Sequence, residues 1–106
     1  MAGKTLFEKI WDRHVITERE GGQSLIYIDR HLCHDGSFNA FGQLREHGRT
    51  VRRPKQTFAT PDHYTPTKSG DLRDVPDPRA TEISMAIDKN CEEFGVTLFP
   101  WLDERQ

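Results

Sequence analysis

The sequence predicts an α/β fold built on a short, mostly parallel sheet with covering helices. Three observations carry that prediction. Apolar residues recur at helical spacing in three separate segments, compact β-prone runs follow them, and the changeovers fall at Gly, Pro or capping residues. Helix, strand, helix, strand, helix, strand is the order expected when helices cover a parallel sheet.

The first helix is predicted over residues 5–15. Thr5-Leu6-Phe7-Glu8 fits a capping box, in which the threonine oxygen and the Glu8 carboxylate satisfy free N–H groups of the first turn. Leu6, Phe7, Ile10, Trp11 and Val15 then share one side. Gly21-Gly22 breaks the chain, and Ser24–Asp29 (SLIYID) reads as a buried strand. Ser37 caps a second helix carrying Phe38, Phe41 and Leu44, closed by Gly48. Gln56–Thr60 (QTFAT) is a short second strand. Residues 64–78 read as loop, because Pro66, Gly70, Pro76 and Pro78 suit neither helix nor sheet. Asp77-Pro78 supplies an N-cap and a first helical residue. Ile83, Ile87, Cys91 and Phe94 form the apolar face of the third helix, Gly95 ends it, and Val96–Phe99 is the third strand. WLDERQ follows with no closing helix, so residues 1–106 are expected to be an opening section of a larger domain.

Composition narrows the function. The chain has 106 residues, 34% hydrophobic and 30% charged, with a formal net charge of −2. So polar a short chain builds only a small core. The near-cancelling charge argues against a nucleic-acid binder, and the short Arg49, Arg52, Arg53, Lys55 cluster reads as a solvated loop. Apolar runs fall well short of the roughly 20 residues that span a bilayer, and MAGKTLFEKIWDRH lacks the apolar region of a signal peptide. Two cysteines, Cys33 and Cys91, make no disulfide framework. A cytoplasmic protein is expected. MAGKT lacks the glycine spacing and preceding strand of a phosphate-binding loop.

Two places could carry chemistry. His31-Leu32-Cys33-His34-Asp35 gathers four possible metal ligands, but zinc sites need a second converging pair, which the sequence does not supply. No metal is therefore assigned. The segment lies between a strand and a helix start, where open α/β sheets bind ligands and anions, so His34 is a candidate carboxylate donor. Asp62-His63 stands beyond the next strand, between Pro61 and Pro66. A carboxylate beside an imidazole can fix its tautomer and poise it for proton transfer.

KTLFEKIWDRHVI, LIYIDRHLCHDGSFNAF, GRTVRRPKQTFATPDHYTPT and KNCEEFGV, in that order, resemble the N-terminal part of the 3-isopropylmalate dehydratase large-subunit family, in the aconitase superfamily. Asp29-Arg30 with His34-Asp35 matches one superfamily block, and Asp62-His63 matches its D-H pair. The resemblance implies a partial aconitase-type domain and a hydro-lyase interconverting 2- and 3-isopropylmalate in leucine biosynthesis, with a small partner subunit. It implies a [4Fe-4S] cluster whose open iron acts as a Lewis acid. It also implies that His63, oriented by Asp62, protonates the leaving hydroxyl while His34 contacts substrate. The family's cluster cysteines lie farther along a much longer chain and match neither Cys33 nor Cys91. The cluster is thus expected on cysteines outside this chain, and these residues alone are expected to be inactive. A non-catalytic interaction or regulatory domain, and a related aconitase-type hydro-lyase, are the alternatives left open.

Overall fold

The computed structural model describes residues 3–106, so Met1 and Ala2 of the MAGKT stretch lie outside the described residues. α1 (Leu6–His14) starts where the capping box places it. Thr5 Oγ1 accepts the Glu8 N–H at 3.2 Å, and Glu8 Oε2 accepts the Thr5 N–H at 2.7 Å. Lys4, in the same stretch, pairs with Asp12 one face along the helix.

The strands differ from expectation at the start. β1 (Val15–Glu18) and β2 (Ser24–Ile26) form an antiparallel hairpin apart from the main sheet. Gly21 and Gly22 have φ of 101° and 83°, which suits glycine in the turn between them. A bulge at Ile16 shifts the register between Val15↔Ile26 and Thr17↔Leu25. SLIYID is therefore neither buried nor part of the parallel sheet. Leu25, Ile26 and Ile28 remain exposed.

The parallel sheet begins at β3 (His31–Cys33), continues through β4 (Thr57–Ala59) and ends at β5 (Thr97–Leu98), in that spatial order. α2 (Phe38–Glu46) connects the first pair and α3 (Pro78–Phe94) the second. Both helices lie on one face and on each other: Phe41 and Phe94 have ring centroids 5.4 Å apart, and Arg45 Nε meets Glu93 Oε1 at 3.0 Å. α3 starts at the Asp77 N-cap with Pro78 next, and ends at Gly95, as its sequence predicts. Ser37 precedes α2, but it closes a single 3-10 turn (Asp35–Ser37), and its hydroxyl makes no cap bond. The expected loop over 64–78 ends at Asp77, since Pro78 already belongs to α3, and it holds one further 3-10 turn, Leu72–Asp74.

The core sits between the sheet and these two helices. Cys33, Phe41, Ala59, Ile87, Cys91 and Val96 are buried, with Leu44, Val51, Phe94 and Leu98 at its margin. Along α3 the buried stripe runs Ala80, Ser84, Ile87, Cys91, so Ile83 and Phe94 flank it.

The other face of the sheet is open. Leu32 there is 67% exposed, and Phe58 stacks on Phe99 at 6.1 Å with only Arg105 laid over the latter. Leu6 on α1 is 74% exposed. The radius of gyration, 17.8 Å, far exceeds the about 13 Å of a compact chain of this length. Parallel sheets are ordinarily covered on both faces, and large bare apolar patches drive association. Sedimentation velocity should therefore show concentration-dependent self-association. A monomer at high concentration with protected amides throughout β3, β4 and β5 would contradict this.

The His14 imidazole bridges the end of α1 to Asp29. His14 Nδ1 lies 2.6 Å from the Ile10 carbonyl and Nε2 lies 3.2 Å from Asp29 Oδ1. Two acceptors at the two nitrogens favour the doubly protonated ring: the Ile10 carbonyl first, then Asp29, raise the His14 pKa above its ordinary 6.5. Because the folded value is raised, this contribution is fully present below pH 6.5 and is lost as pH rises through the folded value. Tyr27, whose N–H donates to the His14 carbonyl at 2.8 Å, reports it. Its amide resonance should move toward a coil shift as pH rises through that range, and His14→Gln should abolish the dependence.

Among the described residues, no helix is long and apolar enough to cross a membrane.

Candidate functional site

Parallel pairing decides where the site forms. β3 and β4 run in register, His31↔Thr57 through Cys33↔Ala59, and their ladder closes with the Thr60 N–H on the Cys33 carbonyl at 3.1 Å. Both chains leave the sheet at the same edge. His34-Asp35 and Asp62-His63, far apart in sequence, thus become neighbours at the C-terminal end of adjacent strands, where α/β sheets place ligands.

The structure brings together all three candidate residues. His63 Nδ1 is 2.6 Å from Asp62 Oδ1, so the adjacent side chains do touch. The His34 and His63 rings stack at 4.2 Å between centroids, 15° from parallel. His34 Nδ1 faces the Gly36 N–H at 3.0 Å, Asp35 Oδ1 at 3.3 Å and Asp62 Oδ1 at 3.7 Å. Each ring commits Nδ1 to the protein. Each leaves Nε2 without a protein partner among the described residues. His34 also folds over Gly36, where a Cβ would clash with the imidazole, so glycine lets the ring lie flat.

The protonation of His63 follows from its carboxylate neighbour. The bond from Asp62, then its charge, raise the His63 pKa above the ordinary histidine value, outweighing some desolvation. His63 is thereby held as a proton donor to a higher pH than a free imidazole.

Asp35 is the member that the sequence did not reveal in its actual role. It is only 1% exposed, and its oxygens accept the N–H groups of Gly36 (3.0 Å), His63 (3.3 Å) and Tyr64 (3.0 Å). Burial pushes its carboxyl up, but the bonds from Tyr64, His34, His63 and Gly36 prevail and hold it below the usual carboxylate range. One local signal in the sequence is an Asp-Gly shortly after a strand, which marks a side chain able to bond nearby backbone.

The four side chains offer ligand atoms all within 4.8 Å of one another, a donor set that divalent metals accept. Their bonding is already internal, however. Asp35 is filled by backbone N–H groups, and both Nδ1 atoms are engaged. The quartet His31, Cys33, His34, Asp35 does not converge. His31 is exposed at the sheet edge with both ring nitrogens 3.8 Å from Cys33 Sγ, and Asp35 points inward.

The [4Fe-4S] group implied by the resemblance requires thiolates, and the cysteines here do not fit it. Cys33 and Cys91 are both buried in the core. Burial pushes the Cys33 thiol up despite a bond from Ser37, and it pushes Cys91 up to about 11. Both are packing residues that stay protonated.

A surface hollow lined by Thr65, Pro66, Lys68, Ser69 and Val75 opens just beyond this cluster. No imidazole lines it.

The chain is 49% identical over 105 residues to the 3-isopropylmalate dehydratase large subunits of Listeria monocytogenes serotype 4a (strain HCC23) and Listeria innocua serovar 6a. It is 48% identical to that of Listeria welshimeri serovar 6b. In each case 98% of this chain is matched, but it spans only 22% of the relative's length. No solved structure gives a significant match. The Aconitase family (aconitate hydratase) profile matches residues 8–104, which takes in every residue of the site, and the chain belongs to the aconitase family.

Proposed function

We propose that this chain supplies part of the active site of a 3-isopropylmalate dehydratase large subunit, which interconverts 2- and 3-isopropylmalate by dehydration and rehydration. The observation that carries the reading is the Asp62–His63 contact beside His34, at the strand edge of an aconitase-family chain. His63 Nε2 is the proton donor to the departing hydroxyl, and Asp62 stabilises the imidazolium that gives up the proton. His34 Nε2, alongside, hydrogen-bonds a substrate carboxylate. Stacking keeps the two nitrogens at a fixed separation, as the positioning of reacting groups demands.

The relatives are named large subunits, which supports a small partner subunit. A [4Fe-4S] cluster, when bound, would supply Lewis-acid chemistry at the substrate hydroxyl. On this reading its cysteines come from outside this chain, the 106 residues alone are inactive, and the enzyme works in the cytoplasm on leucine biosynthesis.

The test is an assay of the longest natural polypeptide containing this chain, co-expressed with a small subunit and given 2-isopropylmalate. Formation of the unsaturated intermediate, read by its ultraviolet absorbance, is expected. Turnover of a different hydroxy-acid in its place would reassign the substrate. No turnover with a full cluster would overturn the reading.

A further inference from the structure

We infer that Asp35 is a positioning residue: its buried carboxylate fastens the loop after β4 to the loop after β3, Ser84 of α3 holds the same loop from its other side, and together they set His63 against His34. The catalytic consequence rests on the function proposed above; the geometry does not.

The sheet cannot do this by itself. Regular pairing stops at Thr60, and Asp62, His63 and Tyr64 are all exposed side chains on a loop. What holds their backbone is polar. Asp35 Oδ1 accepts the His63 N–H at 3.3 Å and Oδ2 accepts the Tyr64 N–H at 3.0 Å. On its other side Oδ1 accepts the Gly36 N–H at 3.0 Å, and that same N–H faces His34 Nδ1 at 3.0 Å. One carboxylate thus touches the backbone beneath both imidazoles.

Ser84 completes the clamp from α3. Its side chain is fully buried, and its hydroxyl lies 3.1 Å from the Tyr64 carbonyl and 3.5 Å from Asp35 Oδ2. With one hydrogen to give, it donates to the nearer carbonyl. Tyr64 is therefore gripped at both its N–H, by Asp35, and its carbonyl, by Ser84. A buried serine in the middle of an apolar helix stripe, between Ala80 and Ile87, has no packing advantage over alanine, and this bond explains its presence.

The arrangement needs acceptors on both oxygens. A carboxylate has them, whereas an asparagine amide turns two donors toward one of the two sets of N–H groups. Asp35→Asn therefore sets donor against donor wherever its amide turns, and the loop after β4 should come away while the core stays folded.

The experiment is solution NMR on the 106-residue chain carrying Asp35→Asn or, separately, Ser84→Ala. In Asp35→Asn the cross-relaxation between His34 and His63 ring protons should vanish. The His63 and Tyr64 amides should exchange faster by about tenfold, the scale of one lost hydrogen bond. The His63 titration midpoint should shift, and contacts between Phe41 and Phe94 should persist. Ser84→Ala should produce the same changes at smaller amplitude. A folded Asp35→Asn chain with the ring contacts and amide protection intact would overturn the inference. Should Asp35→Asn fail to fold, Ser84→Ala decides: unchanged His63 and Tyr64 amides would overturn it equally. If both variants displace His63 while the intact enzyme carrying them keeps normal kcat, the positioning stands and the assignment of His63 as proton donor falls.

Discussion

Ile87→Ala should leave this chain largely unfolded at physiological temperature. Ile87 is 3% exposed and sits at the centre of the cluster formed with Cys33, Phe41, Ala59, Cys91 and Val96. Truncating a buried isoleucine costs about 2–5 kcal/mol, through lost transfer energy and the cavity left behind. Whole domains have only about 5–15 kcal/mol to lose, and this one has a single core on one sheet face. With each kcal/mol moving Tm by about 4–8 °C in a domain of this size, thermal unfolding followed by circular dichroism should shift down by about 8–40 °C. Ile16→Ala is the control. That residue is 60% exposed on the hairpin, and its loss should stay within about 0.5 kcal/mol. Equal losses at both positions would mean that the hairpin, too, is packed into the core.

The contrast between these two isoleucines also marks where the sequence was legible. Devices contained within a few residues could be read directly. Thr5 with Glu8, Asp77 with Pro78, and Gly95 act on the turn they belong to, and α1 and α3 start or stop accordingly. The α/β class was legible for the same reason, from helix periodicity between short strands. The identity of the first parallel strand was not. SLIYID has the stronger β-propensity, yet propensity does not choose a partner. Gly21-Gly22, after the β-branched run Val15-Ile16-Thr17, closes it into a hairpin, which a break alone does not imply. His31–Cys33 has little strand character of its own and is a strand because β4 lies beside it. The site divides in the same way. Asp62 and His63 are adjacent, so their pairing could be anticipated. Asp35 acts on backbone groups of His63 and Tyr64, distant in sequence, and only the parallel register puts them within reach.

On the proposed reading, His63→Ala in an intact enzyme assembled with a small subunit should lower kcat by about 10²–10⁴-fold, the usual contribution of a positioned general acid. KM should change much less, because the lost interaction is made as the hydroxyl departs, not on binding. His34→Ala should act mainly on KM, since its Nε2 contacts substrate on the proposed reading. The pH profile separates proton donation from mere packing. Asp62 raises the His63 pKa, so the acid form persists to higher pH, and dehydration should decline only as pH rises through that raised value. In Asp62→Asn the bond and the charge that raise it are both removed. The decline should then move down toward the ordinary histidine value of 6.5, with a smaller loss of kcat than in His63→Ala because the imidazole remains. A packing role alone would lower activity evenly across pH and leave the midpoint in place. Steady-state kinetics on the three variants, at matched cluster content, distinguishes the two. If His63→Ala retains near-normal kcat, the proton comes from another group, and the stacked imidazoles serve only to shape the strand edge.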